Sequence, residues 1–160
     1  MKKILFHLLR MSILFIVCGS IYYSIETIYK YPDSSHWSMF ILSGFLSVFF
    51  IDTPNNIYSY DMDIKWQVLI SSFFCILGEG LCGLYVNVYK GWSVWNYEGL
   101  IGSYFWNQNN IFFNFAWILL SFIGIIICDC VNYYFFKIDP APYYQIKGKI
   151  FLRFPERKNK

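Results

Sequence analysis

Apolar residues fall into four long, nearly continuous runs that are separated by shorter polar connections. A hydrocarbon layer about 30 Å thick is crossed by roughly 20 apolar residues of helix, with a working range near 17–25. The strands of a membrane barrel would instead alternate in segments of about ten residues. The continuous runs therefore predict four transmembrane helices, at about residues 8–28, 36–51, 67–89 and 111–133.

The run at 36–51 is shorter than the others, so a re-entrant segment is an alternative to a span. We favour a span because Trp37 can anchor one end at the membrane surface and a mismatch in length has a modest cost. Pro54 follows the run, and we expect the helix to stop there because proline has no N–H for the helical ladder.

The run at 8–28 has a second interpretation as a cleaved signal peptide, because a Met-Lys-Lys sequence precedes the apolar stretch. However, Arg10 interrupts the apolar region, and the following "CGSIYYSIE" contains no small-x-small cleavage site. We therefore expect the first helix to be retained.

The composition supports a membrane protein. The 160 residues are 57% hydrophobic, 23% aromatic and only 14% charged, whereas soluble domains carry about 25% charged residues. A water-soluble fold of this size could not bury so much apolar surface. The predicted fold class is all-α, an integral membrane bundle of four transmembrane helices that contacts the lipid bilayer.

The basic residues predict the orientation of the bundle. Ten of the thirteen lie close to the two termini: Lys2, Lys3, Arg10, Lys137, Lys147, Lys149, Arg153, Arg157, Lys158 and Lys160. The positive-inside rule then places both termini in the cytoplasm, which agrees with an even number of spans. The chain is thus divided into a transmembrane domain, 1–136, and a basic cytoplasmic tail, 137–160.

Two interpretations of the basic tail stay open. It could bind anionic lipid headgroups, at about 1 kcal/mol per basic residue near the surface. Alternatively, it is a solvated segment that only fixes the topology, and we favour this interpretation. A nucleic-acid partner is not expected, because the net charge is only +3 and no binding motif is present.

Catalytic and cofactor motifs are sparse. The cysteines fall inside the predicted spans, where thiols behave as small apolar groups. "CDC" at 128–130, with only two histidines in the chain, is a weak metal pattern. The sequence also contains neither a P-loop nor a G-x-S-x-G motif. We predict no enzyme activity, no cofactor and no metal.

Glu79 is the only charged residue in the run at 67–89. On a helical projection Ser72, Cys75 and Gly83 lie within about 40° of it, which forms a stripe of small and polar groups that should face other helices. Similar seams repeat on the first helix, at Ser12, Gly19 and Glu26, and on the fourth, at Asn114, Ser121 and Cys128.

The cost of a charge at the membrane centre, about 2.5–3.5 kcal/mol, indicates a function for Glu79. With cytoplasmic termini, Glu26, Glu79, Asn87 and Asn114 share the outer half of the bundle. We predict that they form an intramembrane pocket for a solute or ion, with Glu26 or Asn114 as the partner of Glu79. The alternative is a protonated Glu79 that only ties helices together by a hydrogen bond.

The connection at 90–110 is rich in aromatic residues. Tryptophan and tyrosine prefer the headgroup region of a membrane to free water. We therefore predict an ordered interfacial cap that contains Trp92, Trp95 and Tyr97.

Four motifs occur in a characteristic order: "ETIY" at 26–29, "HWSMFILSG" at 36–44, "GEGLCG" at 78–83 and "WSVWNY" at 92–97. In this respect the chain resembles the small bacterial membrane proteins called ABC-transporter type IV, or CmpB-like, permeases. The resemblance implies a bacterial cell membrane location and places Glu26, Glu79, Trp95 and Tyr97 on recurrent family positions. The chain departs from the family pattern at Asn96, where aspartate is usual.

Three functional hypotheses follow. The first is a permease-like subunit whose outer polar pocket receives a small solute or ion. Because four spans are few for a permease, its pore would need a homo-oligomer or partner membrane and ATPase subunits. The second is a non-transporting structural or regulatory membrane protein, including a holin-like pore former. A membrane enzyme is the weakest, since Glu26 and Glu79 lack a histidine, nucleophile or metal partner.

Overall fold

Four long helices, long and apolar enough to cross a membrane, dominate the structure, a computed structural model that describes residues 2–157. Three of the four contain a π-helical turn, which lies inside the second helix and at the end of the third and the fourth. The first helix is Lys2–Tyr29; the second runs through Trp37–Leu46, the π-turn Ser47–Asp52 and Thr53–Ile57; the third through Ile64–Gly83 and the π-turn Leu84–Tyr89; the fourth through Ile111–Cys130 and the π-turn Val131–Phe135. The prediction of four membrane-length helices is confirmed.

The helices run up and down in sequence order, which gives the bundle two distinct ends. At one end, here the loop end, lies the connection at 90–110, between the third and fourth helices. At the other, here the tail end, the chain after Phe135 contacts the connection between the second and third helices: the Tyr143 hydroxyl donates to Asp61 Oδ1 at 2.6 Å.

The prediction that Pro54 ends the second helix is wrong, because the helix continues to Ile57. Pro54 stands in the first turn of the segment Thr53–Ile57, directly after a π-turn in which the Thr53 N–H bonds to the Val48 carbonyl. A proline is tolerated in a first turn because no α-helical bond needs its N–H there. The short second run therefore becomes a helix of full membrane length.

Polar groups lie inside the bundle and large apolar groups cover its outside. Ile28, Phe73 and Phe115 are well exposed, as expected for side chains that face lipid. In contrast, the stripe around Glu79 is buried, and so are Ser121 and Cys128 on the fourth helix. The predicted seams of these two helices do face inward, except that Asn114 is only partly buried.

The seam predicted on the first helix is only partly correct, because Ser12 is exposed. The buried face near the tail end contains instead Arg10, Leu14 and Cys18, spaced four residues apart. Arg10 sets this rotation, since its guanidinium meets the Asp52 carboxylate inside the bundle.

Two short hairpins accompany the helices, so the fold is mostly helical rather than purely so. At the loop end, β1 (Ser103–Tyr104) pairs with β2 (Asn109–Asn110). At the tail end, β3 (Tyr143–Ile146) pairs with β4 (Lys149–Arg153). Lys147 and Gly148, with φ of 50° and 75°, form the two-residue turn between β3 and β4, a conformation that glycine favours. Much of the expected solvated tail is thus folded.

Candidate functional site

A cavity of about 540 Å³ lies at the loop end of the bundle. This volume falls within the range of about 300–1,000 Å³ that is usual for small-molecule sites. Its walls come from all four helices, the second through Met39, and from the connection at 90–110. Its polar and aromatic lining includes Tyr22, Glu26, Tyr29, Lys30, Glu79, Trp95, Asn96, Tyr97 and Phe113.

Glu79 lies on the wall of this cavity and is only 3% exposed. Its Oε2 accepts from Trp117 Nε1 at 2.7 Å and from Asn109 Nδ2 at 3.4 Å. Its Oε1 accepts from the Tyr97 hydroxyl at 3.5 Å. The three donors are neutral, so they hold the carboxylate in place without neutralising its charge.

The glycines around Glu79 let the connection at 90–110 approach the third helix. A Cβ at Gly83 would lie 2.7 Å from Gln108 Oε1 and 2.9 Å from Trp95 Cζ2, and one at Gly80 would lie 2.8 Å from Phe105 Cδ1. Real Cβ atoms do not occupy such positions, so side chains at these two sites would push the connection away. The "GEGLCG" segment therefore combines the carboxylate with the space that its partners need.

β2 connects the cavity to the start of the fourth helix. The Asn110 side chain accepts from the Phe112 N–H at 2.9 Å and thereby caps that helix. The preceding residue, Asn109, donates both to Glu79 and to the Ile76 carbonyl. A single short strand therefore fixes both the helix start and one donor of the site.

Glu26 faces the same cavity from the first helix. Its Oε1 forms an ion pair with Lys30 Nζ at 2.6 Å, whereas its buried Oε2 has no hydrogen-bond partner among the described residues. Within residues 2–157, no basic group lies within ion-pair distance of Glu79. Two carboxylates and one ammonium line the cavity, which leaves one formal negative charge.

The structure brings two of the four predicted pocket residues, Glu26 and Glu79, to one cavity. The other two lie elsewhere. Asn87 supports the connection: its Nδ2 donates to Gln108 Oε1 at 2.7 Å, and its Oδ1 accepts from the Val94 N–H at 2.7 Å. Asn114 donates to the Tyr104 hydroxyl at 2.8 Å. Neither Glu26 nor Asn114 is a hydrogen-bond partner of Glu79, contrary to the prediction.

The three residues of the predicted aromatic cap also separate. Trp95 and Tyr97 line the cavity, and Trp95 Nε1 donates to the Gln108 carbonyl at 3.0 Å. Trp92 lies outside this lining and packs instead against Trp37, with 6.0 Å between the two ring centroids. Burial, and then the negative charge of Glu79, raise the pKa of Tyr97. Tyr97 therefore remains a hydroxyl donor near neutral pH.

A second buried polar cluster, which the sequence did not predict, occupies the tail end. Arg10 Nη1 lies 2.9 Å and 2.8 Å from the two oxygens of Asp52, and it also donates to Asn132 Oδ1 at 3.0 Å. Asp129 accepts from Asn55 at 2.8 Å and from the Tyr144 hydroxyl at 2.6 Å. In the sequence, the single Arg10 in an apolar run was the one indication of this cluster. Its partners could not be predicted, because they lie beyond or at the edges of the predicted spans.

The cavity thus presents a buried carboxylate, a second carboxylate that is already paired, and several aromatic faces. Such an arrangement can bind a small molecule with one positive charge through an ion pair and cation–π contacts. Comparisons of the chain with family models, with curated proteins and with solved structures find no match.

Proposed function

We propose that this chain is a permease-like component of a transporter in a bacterial cell membrane, and that its cavity binds a small organic cation. One observation carries the proposal: Glu79 is buried, has no basic partner among the described residues, and lines a cavity of ligand size.

The charge of Glu79 is the energetic reason to expect a cationic ligand. A carboxylate inside a membrane is costly, at about 2.5–3.5 kcal/mol even on the lenient scale, and it is usually paired. Its neutral donors stabilise the anion, but they leave the negative charge for a ligand to neutralise. The aromatic rings of Tyr22, Trp95 and Tyr97 line the same space. Their faces attract cations, with a gain of about 0.5–2 kcal/mol each.

The charge distribution and the family resemblance both support this role. The basic residues concentrated near the termini favour a cytoplasmic tail end, so the cavity would open toward the outside. The positions that match the recurrent family motifs, namely Glu26, Glu79, Trp95 and Tyr97, all line this one cavity. A pore would require further helices, from a second copy or from partner membrane subunits that act with an ATPase.

A second candidate function is a non-transporting structural or regulatory membrane protein. The hydrogen bonds of Glu79 favour it, because they tie the third helix to the connection and to Trp117 on the fourth helix. In that case Glu79 needs only its hydrogen bonds and not its charge. Charge and hydrogen bonding are separated by the substitution Glu79→Gln, whose carbonyl oxygen still accepts from Trp117.

The test uses three probes with one aromatic body and different charges: phenethylammonium, neutral phenylethanol and anionic phenylacetate. Binding to the purified protein is measured by the change in tryptophan fluorescence, since Trp95 lines the cavity and Trp117 contacts Glu79. We expect the cation to bind best. Glu79→Gln should weaken its binding by at least about tenfold, which corresponds to about 1.4 kcal/mol, and should leave the unfolding temperature nearly unchanged.

Glu98→Gln is the matched control, because Glu98 is exposed on the same connection. It should bind the cation as the native protein does. Equal binding of the three probes, or an equal loss in both variants, would refute the cation site. Intact binding of the cation by Glu79→Gln would favour the structural role.

A further inference from the structure

An apolar groove of about 590 Å³ lies on the outside of the bundle, between the third and fourth helices. Val68 and Leu69 form one wall, Phe115, Leu119 and Phe122 the other. Ile146 and Phe151 of the β3–β4 hairpin also line it, and among residues 2–157 Lys65 is the one charged residue of its lining. The groove is thus an apolar channel with a cation at its border.

The hairpin is held beside this groove by polar contacts with the tail end. The Asp63 carboxylate accepts from the Lys147 N–H at 2.9 Å, and its other oxygen lies 3.4 Å from Lys65 Nζ. Asp61 accepts from the Tyr143 hydroxyl at 2.6 Å, and the Asp61 carbonyl accepts from Gln145. These contacts bring the hairpin turn and its lysines close to Lys65.

The exposure of apolar side chains on β4 is unusual for a segment in water. Every residue of β4 is exposed, including Ile150, Phe151 and Leu152. Basic residues flank these apolar side chains. Lys65, Lys147, Lys149 and Arg153 supply four positive charges in this region, whereas the two acids, Asp61 and Asp63, are already engaged with the hairpin. Apolar strand residues with flanking cations suit the boundary between hydrocarbon and headgroups.

We propose that this groove is a binding site for an anionic phospholipid. One acyl chain lies in the groove between Leu69 on one wall and Leu119 and Phe122 on the other. The phosphate and the anionic headgroup meet the ammonium groups of Lys65, Lys147 and Lys149. The lysines distinguish this occupant from a neutral lipid or an apolar helix, neither of which would need three cations at the mouth of the groove.

The experiment titrates the purified full-length protein with phosphatidylglycerol or phosphatidylcholine of identical acyl chains. Native mass spectrometry then counts the lipids retained on each protein. We expect phosphatidylglycerol to bind more tightly. Each lysine near an anionic headgroup is worth about fivefold in affinity, so Lys65→Gln/Lys147→Gln/Lys149→Gln should lose on the order of 100-fold and the preference for phosphatidylglycerol.

Two matched controls separate the site from general attraction. Lys3→Gln/Lys90→Gln/Lys137→Gln removes the same charge away from the groove and should keep the preference. Leu119→Trp, which fills the groove, should reduce the binding of both lipids, whereas Leu81→Trp, on an exposed face outside it, should not.

Several results would overturn the proposal. These are equal affinity of the native protein for the two lipids, an equal loss in both triple variants, or undiminished lipid binding by Leu119→Trp. A dimer that Leu119→Trp dissociates, without any effect on lipid, would assign the groove to a second copy instead.

Discussion

At the scale of single residues, the Arg10–Asp52 pair is the most consequential contact. Both side chains are almost fully buried, and Asn132 bridges them through its amide: its Oδ1 accepts from Arg10 and its Nδ2 donates to Asp52 Oδ1. A buried ion pair is itself weak evidence for stability, because desolvation offsets the attraction. Removal of one partner, in contrast, is strongly destabilising, because it leaves an uncompensated charge inside the bundle.

We predict that Arg10→Met destabilises the protein by about 3–5 kcal/mol. The reason is that Asp52 loses its only basic partner among the described residues while it stays buried. Unfolding of the purified protein in mixed micelles measures the change. Arg10→Met/Asp52→Asn should recover much of the loss, because asparagine removes the charge and keeps an acceptor for Asn132. Lys3→Met, on the exposed start of the same helix, should behave as native; equal stability of Arg10→Met would contradict the prediction.

At the scale of elements, the β3–β4 hairpin depends on Asp129. Tyr144 is 1% exposed and donates to this carboxylate. Burial, and then the charge of Asp129, raise the pKa of Tyr144 above its ordinary value of 10. The same two causes, in the same order, raise the pKa of Tyr60, which also faces Asp129. The phenols of Tyr144 and Tyr60 therefore hold their protons more tightly when the hairpin is docked than when it is undocked.

It follows that docking of the hairpin is strongest below pH 10 and weakens as the pH rises above it. Protease cleavage within residues 143–153, measured at pH values on either side of that point, should increase only on the alkaline side. Tyr144→Phe should reduce this pH dependence. It should also cost about 1–3 kcal/mol at neutral pH, because Asp129 loses a donor.

Tyr134→Phe is the control for this element, because Tyr134 is partly exposed next to the hairpin. It should keep the native pH dependence. A cleavage rate that is independent of pH in the native protein would contradict the proposed dependence on Tyr144.

At the scale of the whole molecule, the two ends of the bundle differ in chemistry. The loop end carries Trp37 and Trp92, whose rings pack together, and the cavity with Glu79. The tail end carries the hairpin with its lysines. Because basic residues stay on the cytoplasmic side of membranes, this difference predicts the direction of insertion.

We predict that both termini are cytoplasmic and that the connection at 90–110 lies outside. Reporter fusions after Lys160 and within residues 91–110 should therefore report opposite sides of the membrane. A fusion within residues 58–63, between the second and third helices, is the control and should agree with the one after Lys160. Same-side signals from the first two fusions would contradict the four-span topology and, with it, the outward-facing cavity.

The sequence by itself determined the four helices and the inward face of the third one. Both are local properties: apolar runs of sufficient length cross a membrane as helices, and helical periodicity places Glu79 on the same face as Ser72 and Cys75. The sequence also predicted that Glu26 and Glu79 lie at the same end of the bundle, because their depth follows from helix length and chain direction alone.

Only the tertiary structure decided which side chains meet. Two of the three donors to Glu79 come from Trp117 and Asn109, 38 and 30 residues away, and Arg10 reaches Asn132 over 122 residues. Such pairings depend on the rotation and sliding of each helix against its neighbours, which packing of the whole bundle sets. The π-turns that carry Asp52 and Asn132 add register shifts that a regular helical projection does not contain.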